Sequence, residues 1–183
     1  MENENFMMLE NVVTPEAVVE IRAKDVVFTG SGKYLDADDE LRQIADYIKM
    51  NAKHNSDIKP ERIKYLYTTN AKKDGGRYVL GSLSLRSDVE KIINDDYDYI
   101  LSVHYKSWKE LDMKNKVIQL DKILCGINID EDDNVKKQAV DSKEFINNLR
   151  HYGPKVVLDS SEIVDIAVSR IVEEEKEERK SNK

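Results

Sequence analysis

Three histidines, His54, His104 and His151, are the first candidates for chemistry in this 183-residue chain, because imidazole binds metals and moves protons near neutral pH. In helical zinc sites, two histidines stand four residues apart so that both rings face one ion. The three histidines here show no such spacing. The sequence therefore predicts no histidine metal site and no cofactor, and we expect His104, on a predicted central strand, to be a hydrogen-bonded structural residue.

The single cysteine and a short glycine-containing sequence are also predicted to have structural and not catalytic roles. Cys125 is the single cysteine and lies late in an apolar helical pattern, which is typical of a buried, inert thiol rather than a nucleophile. One cysteine excludes an internal disulfide and fits a reducing compartment. The residues GSGK at 30–33 are similar to part of a phosphate-binding loop but lack its full GxxxxGK frame, so they predict a turn.

The clearest helix among the elements that position these residues begins at Asp38. Leu41, Ile44, Ala45 and Ile48 recur at i, i+3, i+4 and i+7, which places them on one helical face. Acidic residues occupy the first turn, where the helix dipole favours them. The pattern predicts an amphipathic helix with a buried stripe.

Three strands are predicted after this helix, at residues 62–69, 77–85 and 97–105. The sequence AKKDGG at 71–76 lies between the first two, and its Asp-Gly step favours a hairpin. Residues 97–105 are apolar or aromatic on both faces, so this third strand is expected at the centre of the sheet. Ser87 is positioned to cap a short helix between the second and third strands.

Three more helices are predicted towards the C-terminus. Residues 113–127 carry one apolar stripe that runs from Met113 to Ile127. Ser142 is expected to cap a helix that Gly153 and Pro154 end. The last helix is predicted from about residue 160 to residue 179, with an apolar band wider than a lone surface helix needs and a charged tail.

This order of elements predicts an α+β fold, with a small three-stranded sheet, helices packed on one side of it and an additional C-terminal helix. We divide the chain into an N-terminal extension at 1–37, a central domain at 38–154 and a C-terminal helix with a charged tail at 155–183. In the central domain, Trp108 is expected to anchor the sheet to the helix at 113–127.

Charge and hydropathy limit the possible partners. The formal net charge is −7, which does not favour direct DNA binding, because phosphate binding needs a concentrated basic face. The lysines near residues 72–77 are interpreted as part of a solvated hairpin turn. No apolar run reaches the roughly 20 residues of a membrane span, and the first residues lack a signal-peptide pattern. We therefore expect a cytoplasmic protein whose partner, if it has one, carries a basic surface.

Five segments occur along the chain in a fixed order. They are RIKYLY at 62–67, DYDYILSVHYKSWKEL at 96–111, LDKILCGI at 120–127, VDSKEF at 140–145 and RHYG at 150–153. Their order and spacing resemble the phage metallopeptidase family, whose members are small zincin-like proteins. The resemblance covers roughly residues 38–154, and LDKILCGI lies where the family helix carries the motif L-D-H-E-L-x-H.

The resemblance implies a zinc helix whose chemical groups are replaced in this chain. The two motif histidines correspond to Lys122 and Gly126, and the glutamate that would activate zinc-bound water corresponds to Ile123. The candidate third ligand falls on Val140. An ammonium group repels a cation, an alkyl group has no proton to transfer, and glycine has no side chain. We therefore expect a degenerate member of the family that is not an enzyme and holds no metal at these positions.

A fold of this kind without its chemistry can serve as a binding module. The phage resemblance and the acidic charge favour a protein of the bacterial host cytoplasm that inhibits a defence nuclease of the CRISPR type by covering its basic nucleic-acid channel. Two acidic clusters, the first interleaved with tyrosines, are the candidate contact groups. They comprise Asp95, Asp96, Tyr97, Asp98, Tyr99, Asp130, Glu131, Asp132 and Asp133.

Two alternatives stay open. One is a zinc-dependent peptidase that uses ligands outside the family motif. The other is a phage structural or regulatory adaptor that forms a homodimer through the C-terminal helix.

Overall fold

Residues 33–87, 97–129, 135–137 and 146–181 are described by the structure, which is a computed structural model of the chain. Within these ranges the protein combines helices with small β-sheets, so the predicted α+β class is confirmed. The short helix predicted after Ser87 and the cap predicted at Ser142 lie outside the described residues. Among the described residues, no helix has both the length and the apolar content that crossing a membrane requires.

Within the described part of the chain, the main sheet has four strands, β1 (Tyr34–Asp36), β2 (Ile63–Thr68), β5 (Gly81–Leu85) and β6 (Tyr99–His104). Their order across the sheet is β1-β2-β6-β5. Strand β6 pairs in parallel with β2 and antiparallel with β5, which confirms its predicted central place. The prediction of three strands was wrong, because β1 pairs with the edge of β2. A strand of three residues is too short to show periodicity.

A turn of two glycines connects the strands of a second, two-stranded sheet. Strands β3 (Lys72–Asp74) and β4 (Arg77–Val79) are joined by Gly75 and Gly76. Both glycines have positive φ, 55° and 86°, which a two-residue hairpin loop requires. The predicted hairpin is confirmed, but its strands differ from those expected. The predicted strand at 77–85 divides at Leu80, and its second half, β5, joins the main sheet.

Two helices form the interior beside the sheet. Helix α1 (Asp38–Asn51) buries the four apolar residues predicted for its inner face, Leu41, Ile44, Ala45 and Ile48.

The second of them, helix α3 (Met113–Leu124), buries Val117, Leu120 and Leu124. The Asp112 side chain caps α3 by accepting a 2.8 Å hydrogen bond from the Asn115 backbone amide. Ile127 does not continue the apolar stripe of α3, because it begins strand β7 (Ile127–Ile129), which pairs with β8 (Val135–Lys137).

A buried carboxylate connects four elements of this interior. Trp108 lies on the short helix α2 (Tyr105–Glu110) and is completely buried. Its indole Nε1 donates to Glu40 Oε1 of α1 at 3.0 Å. Tyr67 of β2 donates to Glu40 Oε2, and Lys116 Nζ of α3 lies 3.6 Å from Glu40 Oε1. Trp108 thus contacts α1 through a hydrogen bond and α3 through the Lys116 ammonium, which lies 5.1 Å from the ring centroid.

The last two helices meet at Gly153. Helix α4 (Ile146–Tyr152) ends before Gly153, whose φ of 85° is the left-handed conformation typical of a helix end. Helix α5 (Pro154–Ser181) begins at once, because proline suits the first helical position. It therefore starts six residues before the predicted residue 160. Val164 and Val168 of α5 belong to the main core, so this helix packs on the fold.

Candidate functional site

Lys122, Ile123 and Gly126 are the described positions that the sequence resemblance assigns to the family zinc motif. Lys122 Nζ donates to Ser161 Oγ of α5 at 3.2 Å. Ile123 packs against the main core, and its Cδ1 lies 3.2 Å from where a Cβ on Gly81 would stand. Gly126 is buried just after the end of α3. Val140 lies outside the described residues. Lys122 offers an amine that donates to a hydroxyl group, Ile123 offers an alkyl group, and Gly126 has no side chain.

The neighbouring face of helix α3 carries two side chains that can bind a metal, those of Asp121 and Cys125. These residues stand at i and i+4, so they share a face near the end of α3. His54, from a 3₁₀ helix at Lys53–Asn55, places its Nε2 3.1 Å from both Asp121 carboxylate oxygens. One ligand atom from each of His54, Asp121 and Cys125 lies within 4.8 Å of the others. We call these three residues the His-Asp-Cys cluster.

Two asparagines orient the Asp121 carboxylate. Asn55 Nδ2 donates to Oδ1 at 2.5 Å, and Asn148 Nδ2 of α4 donates to Oδ2 at 3.1 Å. Asp121 has no exposed surface, and Asn55 and Asn148 are also buried. A buried carboxylate is costly unless it is hydrogen-bonded. The two amides donate to Asp121 and the His54 ring contacts both of its oxygens, so Asp121 is the centre of a built polar site.

His151 of α4 lies beside the cluster. Its ring centroid is 5.1 Å from that of His54, with the planes inclined at 63°. Its buried Nε2 finds no hydrogen-bond partner among the described residues. Burial lowers the pKa of His151, and the proximity of His54 lowers it further, while the charge of Asp121 opposes the shift. The imidazole is therefore neutral at pH 7 and presents a lone pair, as a metal ligand must.

Cys125 meets the expectation of a buried thiol, with 7% of its surface exposed. Burial raises its pKa, and the charge of Asp121 raises it further, so the thiol carries its proton in the metal-free protein. A nucleophilic cysteine needs the opposite environment, with a positive neighbour that lowers the pKa. A cation bound at this place would favour the thiolate.

His104 is separate from this site and confirms the structural role predicted for it. It is 2% exposed, and its Nδ1 lies 2.7 Å from Ser107 Oγ. Burial lowers its pKa. The prediction that the histidines form no metal site did not foresee that His54 and His151 meet at Asp121. The i, i+4 spacing of Asp121 and Cys125 was the signal available in the sequence. His54 and His151 are far from these two residues in sequence, and only the tertiary fold brings them together.

The acidic clusters predicted to contact a partner lie mostly outside the described residues. Asp98 is 5% exposed and forms an ion pair with Arg62 Nε at 2.7 Å. Tyr99 is 2% exposed and donates to Asn128 O and Lys136 O at 3.2 and 2.7 Å. Both side chains are covered by other parts of the chain, and their contact with a partner stays a prediction.

Tyr97 is partly exposed, and Lys64 Nζ lies 5.5 Å from its ring centroid. The remaining predicted contact residues are not described, and neither are residues 30–32 of the GSGK sequence. The undescribed contact residues are Asp95, Asp96, Asp130, Glu131, Asp132 and Asp133.

Comparison with known proteins gives one match. The model of the family described as "Putative phage metallopeptidase" matches residues 33–174. The match is longer than the resemblance seen in the sequence, since it includes β1 and most of α5. No curated protein and no solved structure matches the chain. Because the family model spans well over half of the sequence, the chain belongs to this phage metallopeptidase family.

Proposed function

We propose that this chain is a non-catalytic member of its family that acts by binding another protein. The observation that carries the proposal is the set of groups at the motif positions, Lys122, Ile123 and Gly126. Hydrolysis by a zinc helix needs two imidazoles for the metal and a carboxylate for the water. Here the amine bonds to Ser161 and the alkyl group packs in the core. These groups supply neither ligands nor a base.

The partner we propose is a basic bacterial enzyme that processes nucleic acid, with a CRISPR-type defence nuclease as the specific case. Phage family membership and a net charge of −7 support this choice. A nuclease channel that holds a nucleic-acid backbone is positively charged, so an acidic protein can compete for it and associate rapidly at low salt. Asp130, Glu131, Asp132 and Asp133 are the proposed contact residues.

A nuclease assay with charge-matched variants tests this proposal. The purified chain is expected to slow DNA cleavage by at least one enzyme in a panel of CRISPR nucleases, and to do so less at higher salt. Replacing Asp130, Glu131, Asp132 and Asp133 with their amides should weaken inhibition. The control removes the same number of charges from the exposed C-terminal residues Glu173, Glu174, Glu177 and Glu178. If no nuclease is slowed and phages gain no protection in cells that express them, the proposal is wrong.

A homodimeric adaptor is a second candidate, because helix α5 exposes apolar side chains. Leu158, Ile163 and Ile166 are 52, 45 and 62% exposed, although other residues of α5 pack in the core. An exposed apolar face can mark an association surface. Replacing Ile163 and Ile166 with serine in the full chain should then reduce the mass measured by light scattering from that of a dimer to that of a monomer. A wild-type monomer would exclude this candidate.

A peptidase with unexpected ligands is the third candidate, and the His-Asp-Cys cluster is the observation in its favour. A catalytic zinc keeps one coordination position open for water and substrate. Asp121 is completely buried, Cys125 is nearly so, and both carboxylate oxygens already accept amide hydrogen bonds. The cluster therefore favours a closed site over a catalytic one.

A further inference from the structure

We propose that His54, Asp121, Cys125 and His151 bind one Zn²⁺ ion as a closed structural site. This site is distinct from the family motif positions. Asp121 and Cys125 each precede a motif position by one residue, which rotates them about 100° around helix α3. The donors come from three elements, a 3₁₀ helix, α3 and α4.

The donor types and their distances suit zinc. Structural zinc sites are tetrahedral and use thiolate, imidazole and carboxylate ligands. Such bonds place the donor atoms roughly 3.3 to 3.8 Å from one another. In the His-Asp-Cys cluster the donor atoms lie within 4.8 Å of each other, and the His54 and Asp121 donors are 3.1 Å apart. Small side-chain rotations therefore suffice to close three ligands around an ion.

His151 is the proposed fourth ligand, and because its ring nitrogens lie outside the group of donor atoms within 4.8 Å of one another, its side chain must turn towards the cluster to bind the ion. Its ring lies edge to face with that of His54, and its Nε2 is buried without a hydrogen-bond partner among the described residues. An unsatisfied buried nitrogen costs free energy, because it has lost its water without gaining a partner. A metal bond to Nε2 would supply that partner. The cluster then has the four ligands of a closed tetrahedral site.

The charges balance in the proposed site. Zn²⁺ brings two positive charges, the Asp121 carboxylate and a Cys125 thiolate bring two negative charges, and the two imidazoles are neutral. The Cys125 proton is released to solvent when the Zn–S bond forms. A site with no net charge can be buried at low cost, whereas without a metal the Asp121 charge is left to His54, two amides and the Tyr152 hydroxyl.

The asparagines form the outer layer that metal sites need. Asn55 and Asn148 each donate to one Asp121 oxygen, so they fix the orientation of the carboxylate. Outer partners of this kind are positioning residues, and their loss typically lowers metal affinity by about 10- to 100-fold. Asn148 stands three residues before His151 on α4, so one helix supplies both a ligand and a positioning group.

Metal titration of the full chain tests the proposal. The protein is prepared with a chelator, dialysed and titrated with Zn²⁺ or Co²⁺. We expect one equivalent of metal per chain, a thiolate-to-cobalt charge-transfer band, and a rise of about 5 °C or more in the unfolding temperature when free zinc reaches a hundred times its dissociation constant.

Variants separate this site from the motif positions. Cys125→Ala and His151→Gln should lower zinc affinity by more than about 100-fold, and Asn148→Ala by about 10- to 100-fold. The matched control is Lys122→Gln, which changes the adjacent motif position on the same helix and should leave zinc affinity unchanged.

Three results would overturn the proposal. They are that the wild-type chain binds no stoichiometric metal, that the cobalt complex lacks the thiolate band, or that the Cys125→Ala variant binds zinc as tightly as the wild type does. In the first case, the contact between His54 and Asp121 is a structural one that holds no ion. The absorption spectrum of the wild-type cobalt complex reports the thiolate without any variant. The proposal is therefore tested even if a variant fails to fold.

Discussion

At the scale of single residues, two buried carboxylates organise the polar interior. Asp121 faces His54 and two asparagines, and Glu40 faces Tyr67, Trp108 and Lys116. Both are charged groups in places where isolated charges are costly, so each depends on the partners that the fold assembles around it. Removing one partner of such a pair leaves the other charge buried and uncompensated.

The first prediction concerns Glu40. The variant Glu40→Gln keeps the size of the side chain but leaves Lys116 without its anionic partner, and both residues are less than 10% exposed. We expect the free energy of unfolding to fall by about 3 kcal/mol or more. Urea denaturation of this variant and of the exposed control Glu173→Gln measures the difference. A loss under about 1 kcal/mol would show that Lys116 reaches solvent.

The second prediction concerns His104 and pH. Burial lowers the pKa of His104 in the folded protein relative to the unfolded chain, where histidine titrates near pH 6.5. The unfolded state therefore binds the proton more readily, and stability is lost as the pH falls below about 6.5. Between pH 7.5 and 5.5 the unfolding temperature should fall less in His104→Gln than in the wild type. Equal slopes for the two proteins would contradict this account.

At the scale of elements, strand β5 shows how closely the sheet and helix α3 approach each other. A Cβ on Gly81 would stand 2.3 Å from the Ser102 carbonyl oxygen of β6 and 3.2 Å from Ile123 Cδ1. The carbonyl belongs to the β5–β6 ladder, so it cannot move without disturbing the pairing. Glycine is required here by close approach, and Ile123 takes part in the contact.

Gly81→Ala is accordingly the third prediction. We expect the variant to lower the free energy of unfolding by about 2 to 3 kcal/mol, which is the upper part of the range for overpacking, because the atom it meets is backbone. Ser84→Ala, an exposed change on the same strand, is the control. Chemical denaturation compares them. If Gly81→Ala unfolds at the same denaturant concentration as the wild type, strands β5 and β6 are less closely paired than described.

The elements also show what the sequence can predict. Helices α1 and α3 were predicted because each repeats apolar residues over several turns, and β6 because it is apolar on both faces. Strand β1 has three residues and no repeat to detect. The hairpin turn was predicted from Asp74 and Gly75, but a turn does not specify which residues pair beyond it.

The candidate site was harder to predict for the same physical reason. Asp121 and Cys125 are close in sequence, but His54 precedes Asp121 by 67 residues and His151 follows it on another helix. Their meeting depends on the packing of three elements. Local patterns carry no information about such contacts, whereas the proposed replacement of motif groups at Lys122, Ile123 and Gly126 rests on the sequence alone.

For the whole molecule, the chain belongs to the phage metallopeptidase family, and its fold brings His54, Asp121 and Cys125 together at helix α3. The fold and the net charge of −7 suit a binding module, and a closed zinc site would stabilise such a module without adding an activity. Together, the two proposals describe a chain that binds a metal without hydrolysing peptides.

The most direct test of this account is a hydrolysis assay on the zinc-loaded, full-length protein. The protein is incubated with a randomised peptide library, and cleavage products are identified by mass spectrometry, with a chelator-treated sample as the control. We predict no products beyond those of the control. Cleavage that requires zinc, stops on chelation and returns when zinc is restored would contradict the central claim that this chain is not a peptidase.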